Sequence, residues 1–300
     1  MPRQVTTIRY NLFMTNFRNW QRKIILEALE EDLGPKGDIT SDLVIPSAQK
    51  GLFELIAKED LVISGLDVFE DVFKLLDKNI SVKKFFRDGN EIKKNKIVVQ
   101  VYGQTINILK AERTALNFIS HLSGIATLTK EMVDLIKNKH VTLLDTRKTT
   151  PNLRLFEKKA VLSGGAKGAK NHRFNLSEMI LIKDNHIAAC GGVKKAISKV
   201  KKKSNDKSGK LKLEVEVSNV KELKEAILCN PDVIMFDNWN VKDLRDAVKL
   251  VPEKICTEAS GLITPQNIKK YSLTGVNCIS TSYMIKNARW MDFSLELKTN

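Results

Sequence analysis

The chain has 300 residues, a net charge of +15 and a hydrophobic content of 42%, which is enough for a large core and for two domains. No apolar stretch approaches the roughly 18 residues that a membrane span needs, so we predict no membrane partner. The positive charge favours acidic ligands or nucleic acid. Only 6% of the residues are aromatic and they do not alternate with the basic runs, so we predict no nucleic-acid partner.

The N-terminal segment is basic, since residues 1–26 contain arginine and lysine but no acid. One interpretation is a basic extension, residues 1–20, that leads into the first helix. The other is an organelle transit peptide, which the shortage of serine disfavours. Four scattered cysteines without a CxxC pair argue against disulfides and structural zinc. These features favour a reducing compartment, and we predict a cytoplasmic protein.

The first part of the chain mixes helical and strand patterns. In chain order, we predict a helix at 24–32 followed by turn formers at 33–38, strands within 51–65, a helix at 68–76, a strand at 96–103, and a largely helical segment at 105–137 with a break at Ser123-Gly124. This part is therefore expected to form an α/β domain of its own.

The second part repeats short apolar runs, each followed by a polar residue and a helix-like segment. The runs lie at 141–145, 179–184, 211–217, 232–237, 254–260 and 277–281. Such alternation predicts parallel βα units in a closed or nearly closed barrel, with a doubly wound sheet as the alternative. The lysine-rich stretch at 201–207 is predicted to be a solvated loop. No GxGxxG motif opens a helix, which disfavours a dinucleotide-binding fold.

Polar residues follow each of the six runs, where parallel α/β folds bind their ligands. The strand ends combine cations, carboxylates and hydroxyls, which suits a small acid reacting with a phosphorylated sugar. Some of these residues also have structural interpretations. Glu216 could form a salt bridge with the outer helices, and Asp145 could orient Arg147 or cap the next helix. His186 could be structural or belong to the site. The candidate site residues are Thr146, Arg147, Lys148, His172, Arg173, Lys183, Glu216, Asp237, Ser260 and Gly261.

Several motifs in order resemble the quinolinate phosphoribosyltransferase family. They are EDLGPKGDITSDLVIP (31–46), AERTALNFISHLSGIAT (111–127), LLDTRKTTPNLR (143–154), NHR (171–173), LIKDNHI (181–187), EVEV (214–217), FDN (236–238) and EASG (258–261). The resemblance implies an N-terminal α/β sandwich at 21–125, with 290–300 packing on it, and an incomplete (β/α) barrel of parallel strands at 126–289. A seventh strand is then expected near 160–176 or 123–140.

The resemblance implies transfer of a phosphoribosyl group from phosphoribosyl pyrophosphate to quinolinate, with loss of carbon dioxide. It implies Mg²⁺ near Glu216 and Asp237, held directly or indirectly, and a homodimer or a hexamer of dimers in which Arg113 crosses the interface. The implied catalytic residues are Lys148, Lys183, Glu216 and Asp237. The implied substrate-binding residues are Arg113, Thr146, Arg147, Lys148, His172, Arg173, Lys183, Glu216, Asp237, Ser260, Gly261, Ser282 and Lys286.

The sequence departs from the family pattern at three places. The stretch GGAKGAKNHR (164–173) is longer than the family's glycine run, Leu262 replaces a second glycine, and Ser282 and Lys286 replace a glycine and a histidine. The alternative hypothesis is therefore a diverged member that uses another acid or binds ligand without turnover. A Schiff-base lyase using Lys183 and a nucleic-acid-binding protein rank below it.

Overall fold

The structure is a computed structural model that describes residues 2–204 and 211–299, with side chains from 17 to 203 and from 211 to 299. The helices are α1 (Pro2–Leu33), α2 (Ile39–Val44), α3 (Leu66–Leu76), α4 (Thr105–Leu135), α5 (Arg154–Gly165), α6 (Asp184–Cys190), α7 (Val193–Ser204), α8 (Val220–Leu228), α9 (Val241–Val248), α10 (Ile268–Tyr271) and α11 (Tyr283–Lys286). The strands are β1 (Lys50–Ala57), β2 (Leu61–Val62), β3 (Ser81–Lys84), β4 (Glu91–Ile92), β5 (Ile97–Gln104), β6 (Thr142–Leu144), β7 (Ala169–Lys170), β8 (Ile180–Ile182), β9 (Leu213–Val217), β10 (Val233–Asp237), β11 (Cys256–Ser260), β12 (Cys278–Ser280) and β13 (Phe293–Leu297).

The chain divides into two compact units. The first comprises Met1–Thr127, Leu155–Gly164 and Arg289–Asn300, and the second comprises Leu128–Arg154 and Gly165–Ala288. The predicted α/β character of both parts is confirmed.

The first unit contains an antiparallel sheet in the order β13-β1-β5-β3. Strand β1 alternates buried and less buried residues, as expected for a sheet with one face against the core. The apolar face of α3 is buried, and Phe69 and Phe73 meet edge to face with ring centroids 5.1 Å apart. Strand β13 pairs antiparallel with β1, so residues near the C-terminus complete the first unit's sheet.

The break predicted at Ser123-Gly124 is wrong, because α4 runs without interruption from Thr105 to Leu135. A Cβ on Gly124 would lie 2.0 Å from the carbonyl oxygen of Arg289. The glycine therefore serves a close approach of two backbones within the first unit and does not end the helix.

The second unit contains a seven-stranded sheet in the order β7-β6-β12-β11-β10-β9-β8, and every described pair in it is parallel. The first and last strands in sequence, β6 and β12, are neighbours, as in a barrel. The sheet ends at β7 and β8, which do not pair. This is the incomplete barrel that was predicted, and its seventh strand, β7, lies within 160–176.

The barrel strands are buried and their helices are amphipathic, as βα units require. All five residues of β9 are buried. The asparagine side chains of Asn219 and Asn240 accept backbone N–H bonds at the first turns of α8 and α9 and so begin these helices directly after the strand ends. The loop predicted at 201–207 is wrong for residues 201–204, which belong to α7. Residues 205–207 lie outside the described part of the chain.

Two further findings concern the chain as a whole. No helix in the described part combines the length and apolar character that crossing a bilayer requires. The four cysteines are all free thiols.

Candidate active site

A cavity of about 320 Å³ lies at the carboxyl ends of the barrel strands in the second unit. Because parallel strands bring their carboxyl ends to one edge, residues far apart in sequence meet there. The lining residues are Thr146, Arg147, Lys148, His172, Arg173, Leu181, Lys183, Glu216, Met235, Asp237, Ser260 and Ser280.

The cavity brings together nine of the residues predicted from the sequence, and it adds Leu181, Met235 and Ser280. Leu181 and Met235 each precede a predicted site residue by two positions, so they lie on the same face of their strands. The two-residue repeat of a strand could therefore have identified Leu181 and Met235 from the sequence.

Arg147 and Arg173 supply fixed positive charge to the cavity. The Nη1 atom of Arg173 donates to the Met179 carbonyl oxygen at 2.9 Å. The buried Nε atoms of both arginines have no hydrogen-bond partner among the described residues. Burial and then the nearby charge of Arg147 lower the pKa of Arg173. Two cations held in this way form a site for an anion with several acceptor oxygens.

Lys183, directly after β8, and Glu216, in the neighbouring strand β9, form an ion pair. The Lys183 Nζ atom lies 2.5 Å from Glu216 Oε1, and the lysine side chain is 45% exposed whereas that of Glu216 is 9% exposed. Burial raises the pKa of Glu216, the contact with Lys183 lowers it, and the nearby Asp237 charge raises it. Glu216 therefore faces the cavity and does not form a salt bridge with the outer helices.

The loop after β6 is held by hydrogen bonds, several of them from Arg154. The Nε atom of Arg154 donates to Thr149 Oγ1 at 3.0 Å, and its Nη atoms donate to the carbonyl oxygens of Arg147 and Phe174. The backbone N–H of Lys148 donates to Thr146 Oγ1 at 3.0 Å. Arg154 thus joins the two loops that carry the cavity arginines. It stands in the motif LLDTRKTTPNLR, but no spacing rule assigned it this role.

Asp145 and His186 have structural contacts. Asp145 is fully buried and its Oδ1 accepts the backbone N–H of His172 at 2.8 Å, so it ties β6 to the segment after β7. The His186 Nδ1 atom accepts the Lys183 backbone N–H at 3.0 Å, which caps the start of α6.

The extra residues in GGAKGAKNHR do not remove His172 and Arg173 from the cavity. Helix α5 ends at Gly165, and the backbone N–H of Gly168 donates to the Gly165 carbonyl oxygen at 2.8 Å in a turn. Strand β7 then pairs in register with β6. The turn absorbs the added length before the strand begins.

The end of the cavity near β11 differs from the sequence expectation. Gly261 has φ +108°, and a Cβ there would lie 2.3 Å from Asn238 Oδ1, so only glycine fits. The helix that follows, α10, begins at Ile268. Leu262 is 85% exposed. Ser282 precedes α11, Lys286 ends it with an exposed side chain, and neither lines the cavity.

Arg113 belongs to α4 in the first unit, and its side chain is exposed. The second unit alone therefore supplies the whole described lining of the cavity.

Beneath the cavity, His172 meets two buried glutamates. Its Nε2 atom lies 3.2 Å from Glu214 Oε2 and 3.7 Å from Glu258 Oε1, and both glutamates are at most 3% exposed. Burial, followed by the Glu214 charge, raises the pKa of Glu258 to about 8. His172, Glu214 and Glu258 also form the one described group of three such donors whose ligand atoms lie within 4.8 Å of one another.

Two family models match this chain. The C-terminal domain of quinolinate phosphoribosyl transferase matches residues 125–296, and the N-terminal domain of the same family matches residues 38–123.

Curated relatives and solved structures agree with these models. A probable nicotinate-nucleotide pyrophosphorylase (carboxylating) of Bacillus subtilis is 38% identical, covering 92% of this chain and 93% of the relative. A chloroplastic enzyme of the same name from rice, Oryza sativa, is 39% identical over 93% of this chain and 78% of the relative. The solved nicotinate-nucleotide pyrophosphorylase of Francisella tularensis has a TM-score of 0.86 at 37% identity, covering 93% of this chain and 96% of the other.

Proposed function

The chain belongs to the quinolinate phosphoribosyltransferase family, and we propose that the cavity of its barrel is where quinolinate and phosphoribosyl pyrophosphate react. The enzyme is a pentosyltransferase of NAD biosynthesis, a nicotinate-nucleotide pyrophosphorylase (carboxylating). Its products are nicotinate mononucleotide, pyrophosphate and carbon dioxide. The observation that carries the site proposal is the convergence of four cations and two carboxylates in one cavity.

Arg147, Arg173 and Lys183 are the proposed binding groups for the two carboxylates of quinolinate, and Thr146 and His172 line the same region. The unpartnered Nε donors support this assignment, because a dicarboxylate supplies acceptors to both arginines. Fixed cations also lower the entropic cost of bringing two anionic substrates together. When the ring loses its carboxylate, the electron pair left beside the ring nitrogen is stabilised by the same positive charge.

Glu216 and Asp237 are proposed to face the ribose of the second substrate. As the ring nitrogen attacks the anomeric carbon, the bond to pyrophosphate breaks and the sugar becomes oxocarbenium-like. Carboxylates near that carbon stabilise its positive charge. Lys148 lies in the loop after β6 at the cavity wall, where its ammonium group suits the leaving pyrophosphate.

Magnesium is proposed as the cofactor. Glu216 and Asp237 lie at the ends of the adjacent strands β9 and β10, and their carboxylate oxygens are the hard ligands that Mg²⁺ prefers, bound directly or through water. When bound, the ion would neutralise charge on pyrophosphate. Removing divalent ions with a chelator should abolish turnover, and adding Mg²⁺ should restore it.

The 5′-phosphate is proposed to lie near Ser260 and Gly261, with Ser282 and Lys286 contributing from the segment after β12. The cavity-facing Ser260 and the positive φ of Gly261 support the first pair. A serine hydroxyl and a lysine ammonium group can each bind a phosphate oxygen.

We propose that the enzyme assembles as a homodimer or a hexamer of dimers, and that Arg113 of one protomer enters the cavity of its partner. The exposed position of Arg113 on α4 supports this. A cytoplasmic location is proposed as well, supported by four free thiols, which suit a reducing compartment.

The test of the function is release of carbon dioxide from carboxyl-labelled quinolinate. We expect release that requires both phosphoribosyl pyrophosphate and Mg²⁺, and loss of most activity in Asp237→Asn. No turnover with both substrates at saturation would overturn the proposal.

A second candidate is a diverged member that binds the acid without turnover, and the altered phosphate end favours it. Leu262 is exposed at that end and Lys286 does not line the cavity. Calorimetry distinguishes the two candidates, because the diverged member would bind quinolinate but not phosphoribosyl pyrophosphate.

A further inference from the structure

The ring of His172 lies between the cavity and the buried interior of the barrel. Its Nδ1 atom accepts the backbone N–H of Arg173 at 2.9 Å. Its Nε2 atom faces Glu214 and Glu258, with Glu214 Oε2 the nearer at 3.2 Å. Both ring nitrogens therefore point toward the protein.

These contacts define the tautomer of the ring. A neutral imidazole whose Nδ1 accepts a hydrogen bond carries its proton on Nε2. A metal ion at Nε2 would require that proton on Nδ1, where it would oppose the N–H of Arg173. The cluster of His172, Glu214 and Glu258 is therefore suited to an N–H to carboxylate contact and not to a cation.

Glu214 has an unusual environment for a carboxylate. It is fully buried, and neither of its oxygens has a well-aligned hydrogen bond among the described residues. Burying such a group costs free energy that folding does not recover. The ring of His172 faces this carboxylate, with Nε2 at 3.2 Å from Glu214 Oε2.

We propose that Glu214 is a positioning residue for the acid substrate. Its carboxylate attracts the Nε2–H of His172 across 3.2 Å, and Nδ1 of the same ring accepts the backbone N–H of Arg173, whose side chain lines the cavity. The segment 171–179 lies between β7 and β8, the two unpaired edges of the barrel, and so has no neighbouring strand to fix it. The inference rests on the proposed role of Arg173 in binding quinolinate.

The test compares Glu214→Leu with Glu214→Gln. In the leucine variant the KM for quinolinate should rise about tenfold to a hundredfold, the range for losing a buried polar contact to a charged group. The KM for phosphoribosyl pyrophosphate should change less than about threefold. Glutamine keeps an acceptor oxygen, so Glu214→Gln should restore most of the affinity for quinolinate.

Thermal unfolding separates positioning from a purely structural role. Because neither Glu214 oxygen accepts a hydrogen bond in the described structure, replacing this buried carboxylate by leucine should leave Tm unchanged or raise it, although quinolinate binds less well. The matched control is Glu157→Leu in the first unit, where a fully buried glutamate lies 2.9 Å from His121 Nε2. Glu157 accepts a hydrogen bond from His121, which neither oxygen of Glu214 does, so this variant should lower Tm and leave the KM for quinolinate unchanged.

Each outcome decides between the two proposals. An unchanged quinolinate KM in Glu214→Leu, or equal rises for both substrates with a lower Tm, overturns the positioning role. If the leucine variant does not fold, Glu214→Met, which also lacks a carboxylate, takes its place and should raise the quinolinate KM to the same extent. An Arg173→Ala variant with normal quinolinate KM would instead overturn the proposed role of the arginine.

Discussion

At the scale of single residues, the site depends on charges held at a cost to the folded protein. Arg147 and Arg173 lie near each other, and burial, followed by the charge of Arg147, lowers the pKa of Arg173. Glu216 and Glu258 are carboxyls whose pKa values are raised by burial. Groups with such pKa shifts are typical of functional sites, and burying them lowers the stability of the fold.

The raised pKa of Glu258 makes stability depend on pH. The folded protein holds this proton up to pH about 8, whereas the unfolded carboxyl, with its ordinary value of 4.5, releases it earlier. The contribution of Glu258 to the free energy of unfolding is therefore complete below the unfolded pKa of 4.5 and is lost as the pH rises through the folded pKa of about 8.

We expect Glu258→Gln to flatten the decline of Tm between pH values of about 5 and about 8.5. The amide copies the neutral acid but has no proton to lose. Differential scanning calorimetry across this range measures the slope, and the exposed Glu253→Gln should keep the wild-type slope. If Tm declines as steeply in Glu258→Gln as in the wild type, the pH dependence does not come from the raised pKa of Glu258.

At the scale of elements, glycines and one arginine determine how neighbouring segments meet. Helix α4 carries Gly124 in its interior although glycine is a poor helix former. The close Arg289 carbonyl explains it. In the second unit, Arg154 at the start of α5 bonds to both loops that present cations to the cavity.

Gly124→Ala should destabilise the protein. In most helices the same change raises the free energy of unfolding by about 0.5–1 kcal/mol. A methyl group at 2.0 Å from a carbonyl oxygen forces the backbones apart, with an expected cost of about 2 kcal/mol or more. Urea unfolding measures the change. Asn117→Ala on the exposed face of the same helix should stabilise slightly, and a stabilised Gly124→Ala would show that no close approach exists.

Arg154→Lys should lower kcat/KM about tenfold to a hundredfold while the fold is retained. Lysine keeps the charge but cannot donate in three directions from a planar group, so the loops at 147–149 and 174 lose their common partner. Steady-state kinetics and circular dichroism check the two parts. Lys159→Arg, a change on the exposed face of α5, is the control and should have wild-type kinetics.

At the scale of the whole molecule, the charge of +15 matches the chemistry of two anionic substrates. A positive field concentrates anions near the protein and raises their rate of encounter. The lysines at 201–203 end α7 and are exposed, so much of this charge lies outside the cavity and acts at long range.

Raising the ionic strength from about 0.05 M to about 0.5 M should reduce kcat/KM for phosphoribosyl pyrophosphate several-fold, because salt screens the long-range field. The more weakly charged quinolinate should show a smaller reduction. Lys202→Glu should weaken the salt dependence without changing kcat, as measured by initial rates at several salt concentrations. A kcat/KM that does not respond to salt would show that the net charge has no part in substrate capture.

The sequence by itself determined the parallel βα architecture. A strand buried on both faces is a continuous apolar run, and a helix buried along one stripe repeats its apolar residues every three to four positions, so the two patterns can be told apart. It also determined which strand ends carry polar groups, from Thr146 to Ser260. Only the tertiary structure decided the partners of those groups. Strand β7 has only two residues and no apolar run, so no pattern marks it. Gly124 has the sequence appearance of a helix break. Glu214 and Glu216 lie two positions apart on the same strand, so the pattern does not tell which of them reaches the cavity. The depth of a residue below the cavity depends on strand register and on the close approach of distant backbones, and local patterns do not encode either.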